Sequence, residues 1–304
     1  MAASPYPRFV SAGEALTDFI RTGSDTWLSR AGGSDWNVAR VVSTLGVSSA
    51  FAGSVSSDRF GDDLAALSLA AGLDMRFLQR ASKPPLLAMV HEVDPPKYFF
   101  VGEDSADLAF DPSLLPAGWL DHVQWVHFGC ISLVREPLAG KLLRMLDTVK
   151  AAGRRVSFDP NYRNIMTADF DATLRHVGAQ ADVIKVSDED LRGLFRVGDA
   201  AEGLSRLRAL NASAPILLTR GPAGAEMHVP GRVVRQGPPA IKVADTVGAG
   251  DASVGGLLYS LMSEPGAGWE THLRFAVAAG AAACLEAGAV PPTLDSVQQL
   301  LKQM

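Results

Sequence analysis

The run Asp245-Thr246-Val247-Gly248-Ala249-Gly250-Asp251-Ala252-Ser253-Val254-Gly255-Gly256 constrains this chain more than any other stretch. It follows a short β-type run around Val243 and opens a long apolar helical pattern through Leu257, Leu258 and Leu261. Small residues at 248 to 250 leave the backbone bare, so a ligand can come close to it. Their N–H groups fall at the expected helix start, where unpaired donors and the helix dipole both favour an anion. Asp251 then stands one step inside that anion site. A carboxylate there is repelled by phosphate, so it needs a purpose. A general base serves one: it takes a proton from a hydroxyl while the amides of Gly248, Ala249 and Gly250 hold the phosphoryl group under attack. That is small-molecule kinase chemistry. The plain alternative is a tight helix–sheet turn with Asp251 as a first-turn acid favoured by the dipole.

Around this run the pattern is that of an α/β protein. Arg8 to Leu16 reads as a first strand ending in Gly13-Glu14-Ala15-Leu16-Thr17-Asp18, and Gly32-Gly33 precedes a helix through Leu45 stopped by Gly46. Strand Ser49–Val55, helix Phe60–Ala71 and strand Leu73–Leu78 follow. Such alternation predicts a parallel sheet with crossover helices. It breaks at two β-type runs, Leu86–Val93 and Tyr98–Val101, around the turn Asp94-Pro95-Pro96-Lys97. With the stretch between Asp18 and Ala31, this hairpin predicts a small β-sheet lid built from about 17–31 and 84–104. Alternation resumes with strand Val123–Gly129, helix Pro137–Ala152, strands Arg155–Asp159 and Val183–Ser187, helix Asp188–Phe195 and strand Pro215–Thr219. A β-rich stretch, Ala225–Val243, leads to the signature helix, an Ala-rich helix from His272 and a terminal helix near Leu294–Leu301.

Composition removes several classes of function. With 304 residues, 47% hydrophobic and 20% charged, one large domain with a sizeable core is expected. The net charge of −5 argues against nucleic-acid binding, which needs clustered Lys and Arg. Only Cys130 and Cys284 occur, so no disulfide framework is expected and a reducing cytoplasm is the natural setting. Met1 to Val10 has two prolines and no apolar core, so it does not read as a signal peptide, and Phe275–Cys284 is too short to span a bilayer. The six His show no zinc-type spacing, and the absence of G-x-x-x-x-G-K-[ST] excludes Walker kinases alone.

Several residues carry chemistry only in combination. Asp18 offers a carboxylate to adjacent hydroxyls of a polyol, or is a solvated loop acid. Gly33 with Asn37 one turn on gives bare backbone and an amide aimed the same way. Arg163 in Asp159-Pro160-Asn161-Tyr162-Arg163 either clamps a phosphoryl group or lies on a surface turn. Ser187-Asp188-Glu189-Asp190, after Lys185, either caps a helix or organises Mg²⁺.

Asp245 to Ala252 followed by Gly255-Gly256 closely resembles the C-terminal signature of the ribokinase-like (PfkB) carbohydrate kinases, and Gly32-Gly33 with Asn37 resembles the N-terminal one. The likeness runs through Gly53, Asp58, Phe60-Gly61, Gly72-Leu73-Asp74 and Ser105-Ala106-Asp107, and so covers essentially the whole chain. Within the family, Glu14-Ala15-Leu16-x-Asp18, Ser105-Ala106-Asp107 and Asp159-Pro160-Asn161-x-Arg163 are most similar to fructokinases.

The resemblance implies a single ribokinase-like domain over 1–304, a three-layer αβα unit with a mainly parallel sheet plus the small lid. It implies ATP and Mg²⁺, with Asp251 as base and Gly248–Gly250 as anion hole. Sugar contacts would be Asp18, Gly32, Gly33, Asn37, Phe100 and Arg163. Nucleotide contacts would be Lys185, Glu189, Thr219, Gly221, Ala223 and Gly224. Asp190 would organise Mg²⁺, and Asp245, Val247 and Ala287 would bind K⁺. Partners would be a sugar and ATP, with a homodimer through the lid. Three departures bear on substrate. Ser34-Asp35-Trp36 replaces Ala-Pro-Ala, Val101-Gly102-Glu103-Asp104 replaces an aromatic-Arg pair, and Ser56 replaces Gly. Trp36 is then either a packed helix residue or one that reshapes the pocket. The alternatives are a 2-keto-3-deoxygluconate or nucleoside kinase of the same fold, and a non-catalytic binder of sugar and nucleotide.

Overall fold

A computed structural model describes residues 6–93 and 96–304. Met1–Pro5 of the N-terminal segment, and Asp94 and Pro95 of the expected turn, lie outside the described residues. In chain order the elements are β1 Phe9–Ala12, β2 Leu16–Arg21, β3 Trp27–Gly32, α1 Ser34–Thr44, β4 Ser49–Ser56, α2 Arg59–Ala70, β5 Leu78–Ala81, β6 Leu87–Val93 and β7 Pro96–Val101. Next come β8 Trp125–Gly129, α3 Leu138–Ala151, β9 Arg155–Asp159, α4 Asp171–Gln180, β10 Val183–Ser187, α5 Asp188–Phe195, α6 Ala200–Leu210 and β11 Ile216–Thr219. The chain closes with β12 Ala225–Val229, β13 Arg232–Gln236, α7 Ala249–Ser263, α8 Trp269–Ala283 and α9 Leu294–Leu301.

Two sheets form. The nine-stranded one runs β13-β12-β11-β10-β9-β8-β1-β4-β5, parallel except that β12 lies antiparallel between β11 and β13. The four-stranded one runs β3-β2-β6-β7, with the β2–β6 pair parallel, and is the lid expected from 17–31 and 84–104. Strand alternation sends one set of residues to each face. Val126, Phe128, Val156, Phe158, Ile184 and Val186 pack against α3 to α6, and Phe9, Trp125, Val183 and Leu217 pack against α1, α7 and α8. These are the outer layers of an α/β sandwich.

The second face changes character along the strands. Phe9 and Trp125 give way, two residues on, to Ser11 and His127, and Ser157 shares their row. Asp159 and Lys185, both buried, come next, at the carboxyl ends. A buried polar layer is costly unless its members pair with one another or with a ligand. It lies where ligands collect on open parallel sheets.

Several local expectations change. The first strand does not run from Arg8 to Leu16: Gly13-Glu14-Ala15 break it, and Asp18 lies inside lid strand β2 instead of just past a strand end. The strand expected at Leu73–Leu78 is displaced, because Asp74 caps a 3₁₀ turn at Met75–Phe77 and pairing starts at Leu78. No strand surrounds Val243, and the β-rich stretch ends at Gln236. Helices α4 and α6 were not anticipated.

Candidate active site

Two glycine turns face each other across the carboxyl ends of the sheet. Gly33 caps α1 at φ 111°, and a Cβ there would lie 2.7 Å from the Glu14 carbonyl oxygen, so no other residue fits without moving backbone. Gly248 caps α7 in the left-handed region at φ 80°. The α7 start carries Asp251 inward, and α1 carries Ser34 and Asn37 to meet it. Ser34 Oγ donates to Asp251 Oδ1 at 2.7 Å, and Asn37 Nδ2 donates to Oδ2 at 2.8 Å. Asp251 is 8% exposed. Burial pushes its pKa up, and the Asn37 and Ser34 hydrogen bonds, with Lys185 and Arg163, work in the opposite direction. Asn37 Oδ1 is buried and has no partner among the described residues, so it is an acceptor in waiting.

The anion turn has its own cation. Lys185 Nζ lies 3.2 Å from where a Cβ on Gly250 would sit, 3.0 Å from Asp159 and 3.8 Å from Asp190. Burial opposes the ammonium charge, but Asp159, Asp190 and Asp251 outweigh it and push the Lys185 pKa up. Asp159 is raised to about 6, chiefly by burial.

Lid residues close the other side. Asp18 is in register with Arg30 on β3 and Ala88 on β6, and Ala88 with Phe100 on β7, so all four share one row of the lid. Burial lifts Asp18 to about 6 against the opposing pull of Arg163. Arg163 lies 5.9 Å over the Tyr98 ring and donates to the backbone and side-chain oxygens of Asn161. Phe100 packs edge-on against Tyr98 at 5.6 Å.

Beneath Ser34 is a second polar group. Ser34 N donates to Glu14, and Ser132 Oγ contacts both Glu14 and, at 3.0 Å, Asp35. One hydroxyl hydrogen serves one acceptor, so the second contact requires a proton on a carboxyl. Burial and then the Glu14 charge push the pKa of Asp35, which has no exposure, well above the usual carboxylate range. His127, 3.6 Å from Asp35, is lowered to about 3 by burial and is neutral.

The remaining sequence-predicted residues distribute as follows. Thr219, Gly221, Ala223 and Gly224 form the turn after β11, next to the carboxyl end of β10, closed by Arg220 N donating to Gly224 O at 2.9 Å. Gly32 ends β3 beside Asp18, and Glu189 is exposed on the first turn of α5. Asp190 closes a capping box with Ser187, accepting from Ser187 N through Oδ2, and its Oδ1 accepts from Tyr162 N, so one lone pair of each oxygen holds the local backbone. Among the described residues no cluster of three His, Cys, Asp or Glu suits a metal ion. Asp245 accepts from Val247 N and Gly288 N and thereby joins the anion turn to the Ala287 loop. Trp36 is fully buried and donates to Ser68 at 2.8 Å, which makes it the packed helix residue. Sequence reasoning missed Asn161 and Asp159. Both stand in the segment that drew attention to Arg163, but the partners that bring them into the site, Ser34 and Lys185, are more than twenty residues away.

The chain matches the family model "pfkB family carbohydrate kinase" over residues 7–296. It belongs to the pfkB family of carbohydrate kinases. The kinase is 33% identical to probable fructokinase-7 of Arabidopsis thaliana, over 96% of this chain and 92% of that one. Its fold superposes with a TM-score of 0.85 on a fructokinase double mutant from Vibrio cholerae in the fructose-, ADP- and potassium-bound form, at 28% identity over 97% and 98% of the two chains. The score is also 0.85, at 27% identity over 96% and 99%, for aminoimidazole riboside kinase from Salmonella enterica complexed with aminoimidazole riboside and an ATP analogue. This kinase is an ATP-dependent phosphotransferase with an alcohol acceptor, most similar to fructokinases, and kinases of the family use ATP with Mg²⁺.

Proposed function

We propose that this kinase phosphorylates fructose, with Asp251 as the general base. One observation carries the reading: a buried carboxylate, fixed through both oxygens, sits at the mouth of an N-terminal helix turn that has an ammonium group beside it. Asp251 takes the sugar proton, and the Gly248, Ala249 and Gly250 amides with Lys185 hold the transferred phosphoryl group. Asp18, Asn37 and the Gly32-Gly33 backbone take the sugar hydroxyls, and Phe100 with Arg163 closes over them from the lid side. ATP lies along the Thr219–Gly224 turn. Mg²⁺ would arrive on the phosphates and neutralise charge there, with Asp190 as the carboxylate that would organise it through water and Glu189 beside it on the first turn of α5. K⁺ would lie at the Asp245, Val247 and Ala287 turn, where Asp245 already joins the two segments.

Asp251→Asn keeps the shape and removes the base, so kcat should fall about 10²- to 10⁴-fold. Activity within a few-fold of wild type would overturn the assignment. An acceptor screen over fructose, 2-keto-3-deoxygluconate and aminoimidazole riboside, with K⁺ present or absent, decides the substrate. The riboside is the second reading because the Salmonella riboside kinase superposes as well as the fructokinase does. ATP binding with no turnover over that panel would support a non-catalytic binder.

The lid's outer face exposes Trp27, Phe99 and Val101, and covering it in a homodimer is the assembly we favour; a monomer by light scattering would refute it. No helix among the described residues is long and apolar enough to cross a membrane, which fits a cytoplasmic kinase.

A further inference from the structure

We propose that Ser34 is a positioning residue: Asn161 commits its hydroxyl to one-way donation, and that hydroxyl locks the Asp251 carboxylate in its ionised, attack-ready orientation. The inference rests on Asp251 being the base.

The direction of each bond follows from what the groups can donate. Arg163 has only donors, and its guanidinium bonds Asn161 Oδ1 at 2.7 Å, so the Asn161 amide is oriented with Nδ2 away from it. Nδ2 meets Ser34 Oγ at 2.8 Å and can only donate. That engages one Ser34 lone pair and points its own hydrogen at Asp251 Oδ1, 2.7 Å away. Accepting from a protonated Asp251 through the second lone pair would leave the Ser34 hydrogen without an acceptor among these partners. The chain Arg163, Asn161, Ser34, Asp251 therefore favours the charged base, which is the form that accepts a proton.

The geometry behind the chain is fixed at each end. Asn161 sits at φ 42°, in the left-handed region, with its N–H donated to Asp159 Oδ1 at 3.0 Å. Ser34 opens α1, with its N–H donated to Glu14. Asn37 holds the other Asp251 oxygen but leaves its own carbonyl oxygen free, so it divides its amide between base and substrate. Ser34 gives its one hydrogen to Asp251 and accepts from Asn161, which makes it the positioning member of the pair. The charged and titratable groups that bear on Asp251 are Lys185 from β10, Arg163 from the loop after β9, Asp159 at the end of β9, Asp18 from the lid and Asp35 from α1. Of these, Arg163 alone is joined to the Ser34 hydroxyl, through Asn161; the others make no bond to it.

The test is Ser34→Ala with Ser34→Thr as rescue and Asn161→Ala as a second break in the chain. Two readouts are taken: the pH profile of kcat/KM for fructose at saturating ATP–Mg²⁺, and the ¹³C titration of the Asp251 carboxyl in the ligand-free enzyme, assigned by its loss in Asp251→Asn. Ser34→Ala should move the acid limb and the carboxyl titration upward together by about one pH unit, the scale of a hydrogen bond to a charged acceptor. Its activity loss should therefore be greatest on the acid limb, approaching about tenfold where the base is mostly protonated in both enzymes, and small on the alkaline plateau. Ser34→Thr should restore both curves, and Asn161→Ala should give a smaller shift in the same direction. A carboxyl titration unmoved in both alanine variants overturns the proposal, as does a loss uniform across pH. Full activity of Asp251→Asn overturns the base assignment instead, and the carboxyl titration still decides the Ser34 claim without any substrate.

Discussion

Lys185→Met is the substitution whose consequences the structure fixes most closely. The ammonium is 5% exposed, 3.0 Å from Asp159, which has no exposure, and 3.8 Å from Asp190. Methionine fills most of the volume but leaves Asp159 buried without a counter-charge. Breaking a buried pair from one side costs about 3–5 kcal/mol. At roughly 2–3 °C per kcal/mol for a chain of this size, Tm should fall by about 10 °C. Activity is lost separately, because the ammonium sits beside Gly250 at the anion turn, and removing one such stabilising group costs about 10²- to 10³-fold in kcat. The two effects come apart in Lys185→Met/Asp159→Asn. Removing the stranded carboxylate should restore most of the Tm and none of the turnover. Differential scanning fluorimetry and a coupled ADP assay on the wild type, both single mutants and the double mutant complete the cycle. A Tm within about 2 °C of wild type for Lys185→Met would show that the pair does not stabilise the fold as argued. A double mutant no more stable than Lys185→Met would show that the cost is not the stranded charge.

Three further outcomes follow from the geometry. Asp18 titrates at about 6 in the fold, against about 3.9 in an unfolded chain, so the folded state holds its proton more tightly. Its contribution to stability is complete below about pH 4 and is lost as pH rises through 6; Asp18→Asn should therefore raise Tm at pH 8, leave it unchanged at pH 4, and weaken sugar binding, as read by scanning calorimetry and KM. Trp36→Phe removes the indole donor to Ser68 and should cost about 1–2 kcal/mol in urea unfolding while the sugar KM stays within about twofold, because the ring faces the core. Gly33→Ala places a methyl 2.7 Å from the Glu14 carbonyl oxygen at a φ of 111°, and should abolish sugar binding by calorimetry and lower Tm by several degrees.

Legibility in the sequence followed the range of the interaction. Strands Arg155–Asp159 and Val183–Ser187 and helix Asp188–Phe195 could be placed to the residue because an apolar run, a cap and a turn stand next to one another. Helix α4 buries only Leu174, Val177 and Gly178, too thin a stripe to register as a period, and α6 buries only Gly203 and Leu207. Cap chemistry also misled: Asp74 falls inside the expected strand Leu73–Leu78 but caps a 3₁₀ turn at Met75–Phe77. At the site, the glycine turns and Asp251 were legible because each is a local device. The Ser34–Asp251 bond spans 217 residues and the Asn161–Ser34 bond 127, and no local pattern encodes either.

The Ser34-Asp35-Trp36 departure places the determinants of substrate choice elsewhere. Side chains one and two steps along a helix point to different sides, so three consecutive residues cannot all face the pocket. Here only Ser34 turns to the cleft, and it is occupied by Asp251 and Asn161. Asp35 points down to Ser132 and His127, and Trp36 points to Ser68 on α2 with Arg40 stacked 4.1 Å over its ring. The bulk and the acid therefore lie behind the proposed sugar site and do not narrow it. In the proposed site the side chains left to select an acceptor are Asn37 on α1, Asp18, Tyr98 and Phe100 on the lid, and Arg163 beneath them. Exchanging Phe100 for Ala should therefore change the ratio of kcat/KM between fructose and a riboside by more than any substitution at Trp36. Equal ratios in the two variants would move the selecting surface back to α1.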